Sequence, residues 1–396
     1  MITLKIIFWL SGFALVHTYI IYPIMVRFLS RNKKNNVIFY DQSDNLPEVS
    51  VLMAVHNEAS VIKEKMESLL AQDYPAQKLS FYIGSDCSTD ATNDILENYK
   101  NSNSSIHFFP FHERQGKPGV INVLEQKVSS RSARSNDHIY LLTDASVMLE
   151  HNTLKKMVRH FKNNEIVLVD AHMMYSGVGE KGIARSENKY LNAEVLVKNA
   201  ESRLWGKMIG PFGGCFCIRS SHFRCVPQNY LVDDFYIAMT AMQKGGSAIN
   251  DLEAKCFEQV SHKASEEYRR KKRISTGNFQ NLFAFKNLLN PFTKLGFSYV
   301  SHKVLRWMGP FFIIAMFVSS FILAQSEVVF FKFIFAGLIG WFFLIPSIDR
   351  LLSWVNIKIK IFRSISYFNH MNLALLHGFI EFLFGVKSSI WQPTER

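Results

Sequence analysis

The residue types best suited to chemistry are acidic and amide side chains that directly follow three short apolar runs. Asp144 follows the run IYLLT at residues 139–143, and the run at 49–55 leads into HNE. A third run, 81–84, leads into SDCSTDAT. Open α/β folds place their ligands at the carboxyl ends of their strands. Oxygen acceptors gathered at that edge suit a ligand with hydroxyl or imide donors, or a hard cation.

The elements that must position these groups alternate between strand and helix. Strands are predicted at 49–55, 81–84, 106–109 and 139–142, and helices follow the first strand and span 118–128. This alternation predicts an α/β fold with a parallel sheet wrapped by helices. Neither GxGxxG after the first strand nor GxxxxGK[ST] occurs in the chain, so a dinucleotide fold and a P-loop are not supported.

Some of these polar residues have a simpler explanation as helix caps. Asp86, Ser88 and Asp90 precede a helix predicted to begin near residue 91, and Asp233 and Asp234 precede the apolar helix in LVDDFYIAM. Aspartate and serine are common at helix amino ends, where they satisfy backbone N–H groups. Their occurrence at the ends of successive strands favours a shared site.

Composition and charge indicate a membrane surface rather than nucleic acid. The chain has 396 residues, 48% of them hydrophobic, and a formal net charge of +12. Its Lys and Arg clusters mostly flank apolar segments, as expected for a chain facing anionic headgroups. The five cysteines include no CxxC pair, so neither a zinc site nor a disulfide framework is indicated.

Apolar segments at both ends predict membrane helices. Residues 6–28 are long enough to span a bilayer and are followed by basic residues, which places the following domain in the cytosol. Residues 307–324 and 328–348 predict a helical hairpin, and 368–386 is either a third span or an interfacial helix. The expected order is an anchor (1–31), a cytosolic domain (32–278), interfacial helices (279–303) and a membrane region (304–396).

Four motifs carry a family resemblance. VSVLMAVHNE, GSDCSTDAT, ERQGKPGVIN and LLTDAS, in this order, resemble the nucleotide-binding half of a family 2 glycosyltransferase with the GT-A fold. The likeness covers roughly residues 48–280, and the hairpin behind it resembles membrane-bound members that build bacterial capsule, exopolysaccharide or other surface glycans. The resemblance implies that Glu58 and Asp86 contact the nucleoside and that Lys117 lies near the diphosphate.

The same resemblance implies a metal and a general base. Asp144 matches the first residue of the DxD metal motif, whereas Ser146 replaces the second aspartate. His262 either completes the coordination of a divalent cation, Mg or Mn, or is structural. Asp234, preceded by Asp233, matches the second acid of the family's ED motif, the base that deprotonates the acceptor hydroxyl.

The segment RRKKR at 269–273 departs from the family pattern. It lies where processive synthases carry QxxRW, but the tryptophan is missing. Arg270 and Arg273 either clamp the diphosphate of a donor or lipid acceptor, or face anionic headgroups. The departure favours transfer of a single sugar over polymerisation.

These observations lead to an expected function. We expect an inverting glycosyltransferase of the cell inner membrane that uses a nucleotide-diphosphate sugar, with a UDP-sugar favoured. Its expected partners are the lipid bilayer and a lipid-linked or glycan acceptor, without nucleic acid. A processive polysaccharide synthase with an export path and a non-catalytic nucleotide-sugar-binding or scaffold protein are the alternatives.

Overall fold

A computed structural model describes residues 1–41, 43–176, 183–259, 264–325, 329–355, 357 and 359–390. The chain forms two compact units. The membrane unit comprises Met1–Met25, Lys263–Pro291 and Tyr299–Gly385. The sheet unit comprises Val26–His262, Phe292–Ser298 and Val386–Arg396. The basic segment 269–273 therefore belongs to the membrane unit, whereas the predicted cytosolic domain extended to residue 278.

The sheet unit contains eight described strands in one mixed sheet, with the order β3-β2-β1-β4-β7-β6-β8-β5. Strands β1 to β4 pair in parallel, and β7 then pairs antiparallel with both β4 and β6. The predicted parallel α/β sheet is therefore correct for the first four strands, and a part with both antiparallel and parallel pairs extends it. The strands β1 to β8 are Glu48–Val55, Leu79–Asp86, Ile106–Phe111, His138–Thr143, Val147–Leu149, Ile166–Ser176, Cys215–Arg219 and Ser247–Gln259.

The main described helices of the chain are numbered α1 to α12 in chain order. They are Ile2–Ser30, Ile62–Leu70, Thr92–Ser102, Gly116–Ser129, Thr153–Val158, Ile183–Trp205, Asp233–Gln243, Ala264–Ala284, Lys294–Trp307, Gly309–Ala324, Val329–Trp354 and Lys360–Leu383.

The core of the sheet unit lies along its central strands. Strand β1 is buried at every position after Glu48, and all six residues of β4 are buried. Continuous apolar strands of this kind are typical of a sheet covered on both faces. Met53 and Leu141 in these strands pack in one apolar cluster with Met66 of α2. This core fixes the strand ends, and thereby the loops that carry the polar motifs.

The membrane unit contains helices with the length and apolar composition of membrane spans. Among the described residues, α1 and α11 each meet this description. The pair α9 and α10 would form a third span, although it bends by 60° at the break between the two helices. These assignments rest on length and composition.

Helix α12 covers the terminal segment for which the sequence left a span and an interfacial helix as alternatives. Its polar side chains contact the basic helix α8 within the membrane unit. Thr276 donates a hydrogen bond to Glu381 Oε2 at 2.9 Å, and Tyr268 Oη lies 2.5 Å from His377 Nδ1. Gly378 packs so closely against α8 that an added Cβ would lie 2.4 Å from the Ser275 side chain. The polar residues that interrupt this segment therefore serve helix packing, as polar side chains often do between membrane helices.

Candidate active site

Asp144 occupies a tight turn between β4 and β5. Its backbone N–H donates to the carbonyl of Gly214 at 3.1 Å, and its own carbonyl accepts from Val147 N at 3.2 Å. Thr143 Oγ1 also donates to the Gly214 carbonyl, at 2.9 Å. The Asp144 side chain is 37% exposed, so the turn that follows the buried strand β4 presents a carboxylate to solvent.

Lys65, which sequence reasoning did not single out, is a buried cation bonded to both ends of this turn. Its side chain is fully buried, and Nζ donates to Thr143 Oγ1 at 2.7 Å and to the carbonyl of Val147. Burial lowers the pKa of Lys65 to about 8, because a desolvated ammonium is unfavourable. Lys65 comes from helix α2, so the turn that carries Asp144 is fixed by a separate element. The sequence places Lys65 in a predicted helix but does not indicate that this lysine is buried and bonded to the turn.

Lys117 joins three segments that are distant in sequence. It lies in the first turn of α4, and its Nζ is 2.6 Å from Asp144 Oδ1 and 3.9 Å from Asp233 Oδ2. Burial disfavours the charge, but Asp144 and Asp233 outweigh burial and raise the pKa of Lys117 above its ordinary range. Lys117 is therefore held as a cation between the predicted metal-binding acid and the predicted base motif.

Asp233 and Asp234 begin helix α7, and Asp234 packs against the backbone of Gly213. Gly213 has φ +76°, and an added Cβ there would lie 2.5 Å from Asp234 Oδ2. Only glycine fits this backbone and this approach. Burial, together with the charge of Asp233, raises the pKa of Asp234 to about 7, although Lys117 acts in the opposite sense. The close neighbour of the Gly213 backbone is therefore a carboxylate of the protein.

Asp86 is completely buried, and three donors bind its carboxylate. Gln115 N donates to Oδ1 at 2.6 Å, and Gly116 N donates to Oδ2 at 3.2 Å. Arg114 Nε also donates to Oδ2, at 2.9 Å, while its Nη1 lies 2.7 Å from His56 Nε2. Asp86 thus fixes the loop that leads into α4 and Lys117. Arg114 was not chosen from the sequence, although it lies within the motif ERQGKPGVIN.

The loops after β1 and β2 are bonded to each other. Asn57 and Cys87 have φ of 53° and 56°, a conformation that non-glycine residues adopt uncommonly and that concentrates at functional sites. Asn57 Oδ1 accepts from Thr89 N at 2.8 Å. Asp90 accepts from Thr92 N at 3.0 Å and from Ala59 N at 3.0 Å. Asp90 therefore has a capping and linking role at the start of α3.

Glu58 and the two arginines complete the set of predicted residues. Glu58 lies half-buried in the loop after β1, and its backbone N–H donates to Thr92 Oγ1 at 2.9 Å. Arg270 and Arg273 lie in α8 of the membrane unit, where Arg270 Nη1 is 3.9 Å from Glu267 Oε2. The sheet unit by itself thus brings Lys117, Asp144 and the Asp233–Asp234 pair together.

The fit of a divalent cation depends on the groups around the turn at Asp144. The Ser146 hydroxyl donates to Glu258 Oε1 at 3.1 Å, so a second acid lies next to this turn. No group of three or more His, Cys, Asp and Glu side chains with metal-binding geometry occurs among the described residues, and His262 lies outside them. The available donors are therefore oxygen atoms, which suit Mg²⁺ or Mn²⁺ when nucleotide phosphates provide the remaining ligands.

Comparison with known proteins defines the class of this domain. Residues 50–226 match the protein family described as "Glycosyl transferase family 2". The structure is also similar to a solved mannosyltransferase, PcManGT from Pyrobaculum calidifontis in complex with GDP-Man and Mn2+. The TM-score is 0.65 at 19% identity, over 95% of this chain and 99% of that one. The fold is of the GT-A type, and residues 50–226 are similar to family 2 glycosyltransferases.

Curated relatives are similar to part of this chain. The chain is 29% identical over 119 residues to "Probable glycosyltransferase YdaM" of Bacillus subtilis, which covers 29% of this chain and 26% of the relative. It is 26% identical over 153 residues to the Staphylococcus aureus poly(ribitol-phosphate) beta-N-acetylglucosaminyltransferase TarS, covering 38% and 25%. It is 27% identical over 158 residues to the S. aureus poly-beta-1,6-N-acetyl-D-glucosamine synthase, covering 40% and 34%. The chain thus spans about a quarter to a third of these relatives' lengths.

Proposed function

We propose that this protein is an inverting glycosyltransferase that moves a sugar from a nucleotide-diphosphate donor to a membrane-associated acceptor in surface glycan synthesis. The observation that carries the proposal is the position of Lys117, bonded to Asp144 and 3.9 Å from Asp233. Such a transfer requires a cation that binds phosphate, an acid that binds the metal and a general base, which here belongs to the Asp233–Asp234 pair. The family match of residues 50–226 supports the same proposal.

The nucleoside end of the donor is assigned to the loops after β1 and β2. Glu58 is half-buried there and serves as a contact for the nucleoside. Asp86 shapes the adjacent loop through its bonds to the backbone of residues 115 and 116. We favour a UDP-sugar as donor, since a carboxylate suits the imide N–H of uracil. The TarS relative, an N-acetylglucosaminyltransferase by name, is consistent with an amino sugar.

The diphosphate end of the donor is assigned to Lys117 and Asp144. Asp144 and the hydroxyl of Ser146 would hold a divalent cation, Mg or Mn. When bound, such an ion neutralises the negative charge that develops on the departing nucleoside diphosphate. Lys117 would release Asp144 and bind a phosphate oxygen as the donor enters, because a lysine ammonium is a mobile point charge.

The acceptor end of the reaction is assigned to Asp234. The acceptor hydroxyl oxygen attacks the anomeric carbon, the bond to the diphosphate oxygen breaks, and Asp234 takes the hydroxyl proton. A base works best when its pKa lies near the working pH, and the environment of Asp234 raises its pKa to about 7. The Asp234 carboxylate packs against the backbone of Gly213, which limits its movement.

The acceptor itself is proposed to be lipid-linked. Helices α1 and α11 have the length and apolar composition of membrane spans, which would keep the enzyme in the membrane that contains such a substrate. The basic segment that contains Arg270 and Arg273 suits the phosphate groups of a lipid carrier or of membrane headgroups. We place the protein in the cell membrane, with the glycosyltransferase domain in the cytosol.

A donor assay on the purified full-length protein tests this function. Nucleotide release is measured from UDP-, GDP- and TDP-sugars, with and without Mn²⁺ and with a membrane lipid extract as acceptor. We expect release with one donor that depends on both Mn²⁺ and the extract. Asp234→Asn is the matched control and should release nucleotide about a thousandfold more slowly. Silence with every donor would instead favour a non-catalytic binding or scaffold role.

A processive polysaccharide synthase is the second candidate function. It is favoured by the similarity to the poly-beta-1,6-N-acetyl-D-glucosamine synthase over 158 residues. The missing tryptophan after RRKKR argues against it, because this residue is part of the motif of processive synthases. The length of the product on a gel separates the two: a single added sugar supports the first proposal, and a ladder supports the second.

A further inference from the structure

The turn at Asp144 lacks one acid of the usual metal motif, and a neighbouring strand provides another acid. Ser146 occupies the position of the second aspartate. Its Oγ donates a hydrogen bond to Glu258 Oε1 at 3.1 Å, across 112 residues of sequence. The carboxylate of Glu258 therefore lies one hydrogen bond away from the side-chain position where a DxD motif would have its second carboxylate.

The register of the sheet fixes Glu258 at this place. Strand β8 pairs antiparallel with β5, and Glu258 lies opposite Val147, the residue after Ser146. On its other side β8 pairs with β6, where Glu258 lies opposite Tyr175. A residue paired on both sides has little freedom to move its backbone. Glu258 is therefore held beside the turn by the fold.

Charge explains why serine and glutamate occur together here. An aspartate at position 146 would lie within hydrogen-bonding distance of the Glu258 carboxylate, and two such anions repel each other. The serine hydroxyl donates a hydrogen bond to that carboxylate instead. Compared with a DxD motif, Ser146 and Glu258 together keep one negative charge at this point, but the charge lies on β8 rather than in the turn.

We propose that Glu258 supplies the second carboxylate ligand of the divalent cation held at Asp144. The inference extends the cation site of the proposed function to a residue of this chain outside the DxD motif. Asp144 and Glu258 would provide two anionic oxygen ligands from two separate strand ends, and Ser146 would orient Glu258. Hard oxygen ligands of this kind select Mg²⁺ or Mn²⁺.

Direct Mn²⁺ binding tests the assignment without any need for transfer activity. The unbound Mn²⁺ signal is titrated by electron paramagnetic resonance on the full-length protein in detergent, with and without UDP as the probe. We expect Glu258→Gln to weaken Mn²⁺ binding by about tenfold or more, since it removes an anionic ligand. Ser146→Asp in the Glu258→Gln background should restore binding. Glu253→Gln, on the same strand, is the matched control and should bind Mn²⁺ as the unmodified protein does.

Replacing Glu258 by a ligand of another type distinguishes metal coordination from a purely structural effect. Glu258→Cys should shift the ratio of Cd²⁺ to Mn²⁺ affinity towards Cd²⁺ by about tenfold, because a thiolate prefers the softer ion. Glu253→Cys should leave the ratio unchanged. The proposal is overturned if Glu258→Gln folds and binds Mn²⁺ normally, if Ser146→Asp does not restore binding, or if Glu258→Cys leaves the ratio unchanged. If the variants change Mn²⁺ binding as expected but no donor supports transfer, only the proposed enzyme function is refuted.

Discussion

Two aspartates at the ends of the parallel strands on either side of β1 have opposite surroundings. Asp86, at the end of β2, is completely buried and accepts from two backbone N–H groups and from Arg114. Asp144, just after β4, keeps 37% of its side chain exposed and is bonded to the ammonium of Lys117. The first carboxylate has its partners within the protein. The second has a partner that a phosphate or a cation can replace.

This difference separates acids that hold the backbone of the site in place from acids that are proposed to contact the substrate or the cation. We call them building and acting acids. The carboxylate of Asp86 orders residues 114–116, which begin the helix carrying Lys117. Lys117 then reaches Asp144 and approaches Asp233. In the proposed function, fixed contacts at the nucleoside end would thus position exchangeable contacts at the reacting end, as expected for preorganised sites. The following predictions test this division.

The largest effect is expected at the proposed base. Asp234→Asn should lower kcat by about a thousandfold, because a general base contributes roughly two to four orders of magnitude. The affinity for UDP, measured by calorimetry, should stay within about threefold, since the nucleotide contacts are unchanged. Asp233→Asn is the control and should lose less activity. A turnover of Asp234→Asn close to that of the unmodified protein would remove it from the base role.

The next effect concerns the exchangeable contact of Lys117. Lys117→Met should raise the KM for the donor by about tenfold, since it removes a phosphate-binding charge. It should also strengthen Mn²⁺ binding without nucleotide, because the ammonium competes with the ion for Asp144. Lys127→Met, on the same helix, is the control for both measurements. Weaker Mn²⁺ binding in Lys117→Met would contradict an exchangeable contact.

A smaller effect, on stability, should distinguish the two aspartates. Asp86→Asn should lower the free energy of unfolding by about 2 to 4 kcal/mol, because buried donors lose a charged acceptor. Asp144→Asn should change it little, since this side chain is partly exposed. Thermal unfolding of the purified protein measures both. Equal losses in the two variants would remove the distinction between building and acting acids.

A further effect is a pH dependence of stability due to Asp234. Its pKa is raised from 3.8 to about 7 in the folded protein, so the folded state binds more protons than the unfolded state between these values. The free energy of unfolding therefore falls as pH rises through this window. Asp234→Asn cannot titrate, so its unfolding midpoint relative to the unmodified protein should increase from pH 4 to pH 8. A constant difference would show that Asp234 has an ordinary pKa.

Much of the fold could be predicted because it follows from local patterns. The runs at 49–55 and 139–142 became β1 and β4, each extended by one or two residues at its ends. Helix α4 begins two residues before the predicted helix at Pro118. Strand β7 begins at Cys215, two residues after Gly213, whose backbone is in the left-handed region. The close approach of the Asp234 carboxylate to Gly213 is a tertiary contact, which the local sequence does not record.

The motifs around Asp86, Lys117, Asp144 and Asp234 were predicted from order and residue type, and the structure brings the last three close together. Their roles stay predictions. Two further residues, Lys65 and Glu258, could not be chosen from the sequence. Lys65 lies in an ordinary amphipathic helix, and Glu258 lies 112 residues beyond the serine that it contacts.

The sequence by itself determined which residues are acids, where strands end, and that apolar segments flank the domain, because these properties are local. Tertiary structure decided which acids are buried and bonded and which remain exchangeable. It also decided that an acid from β8 lies beside the incomplete metal motif. Burial and charge pairing depend on strand register and on side chains from distant segments, and these arise only when the chain is folded.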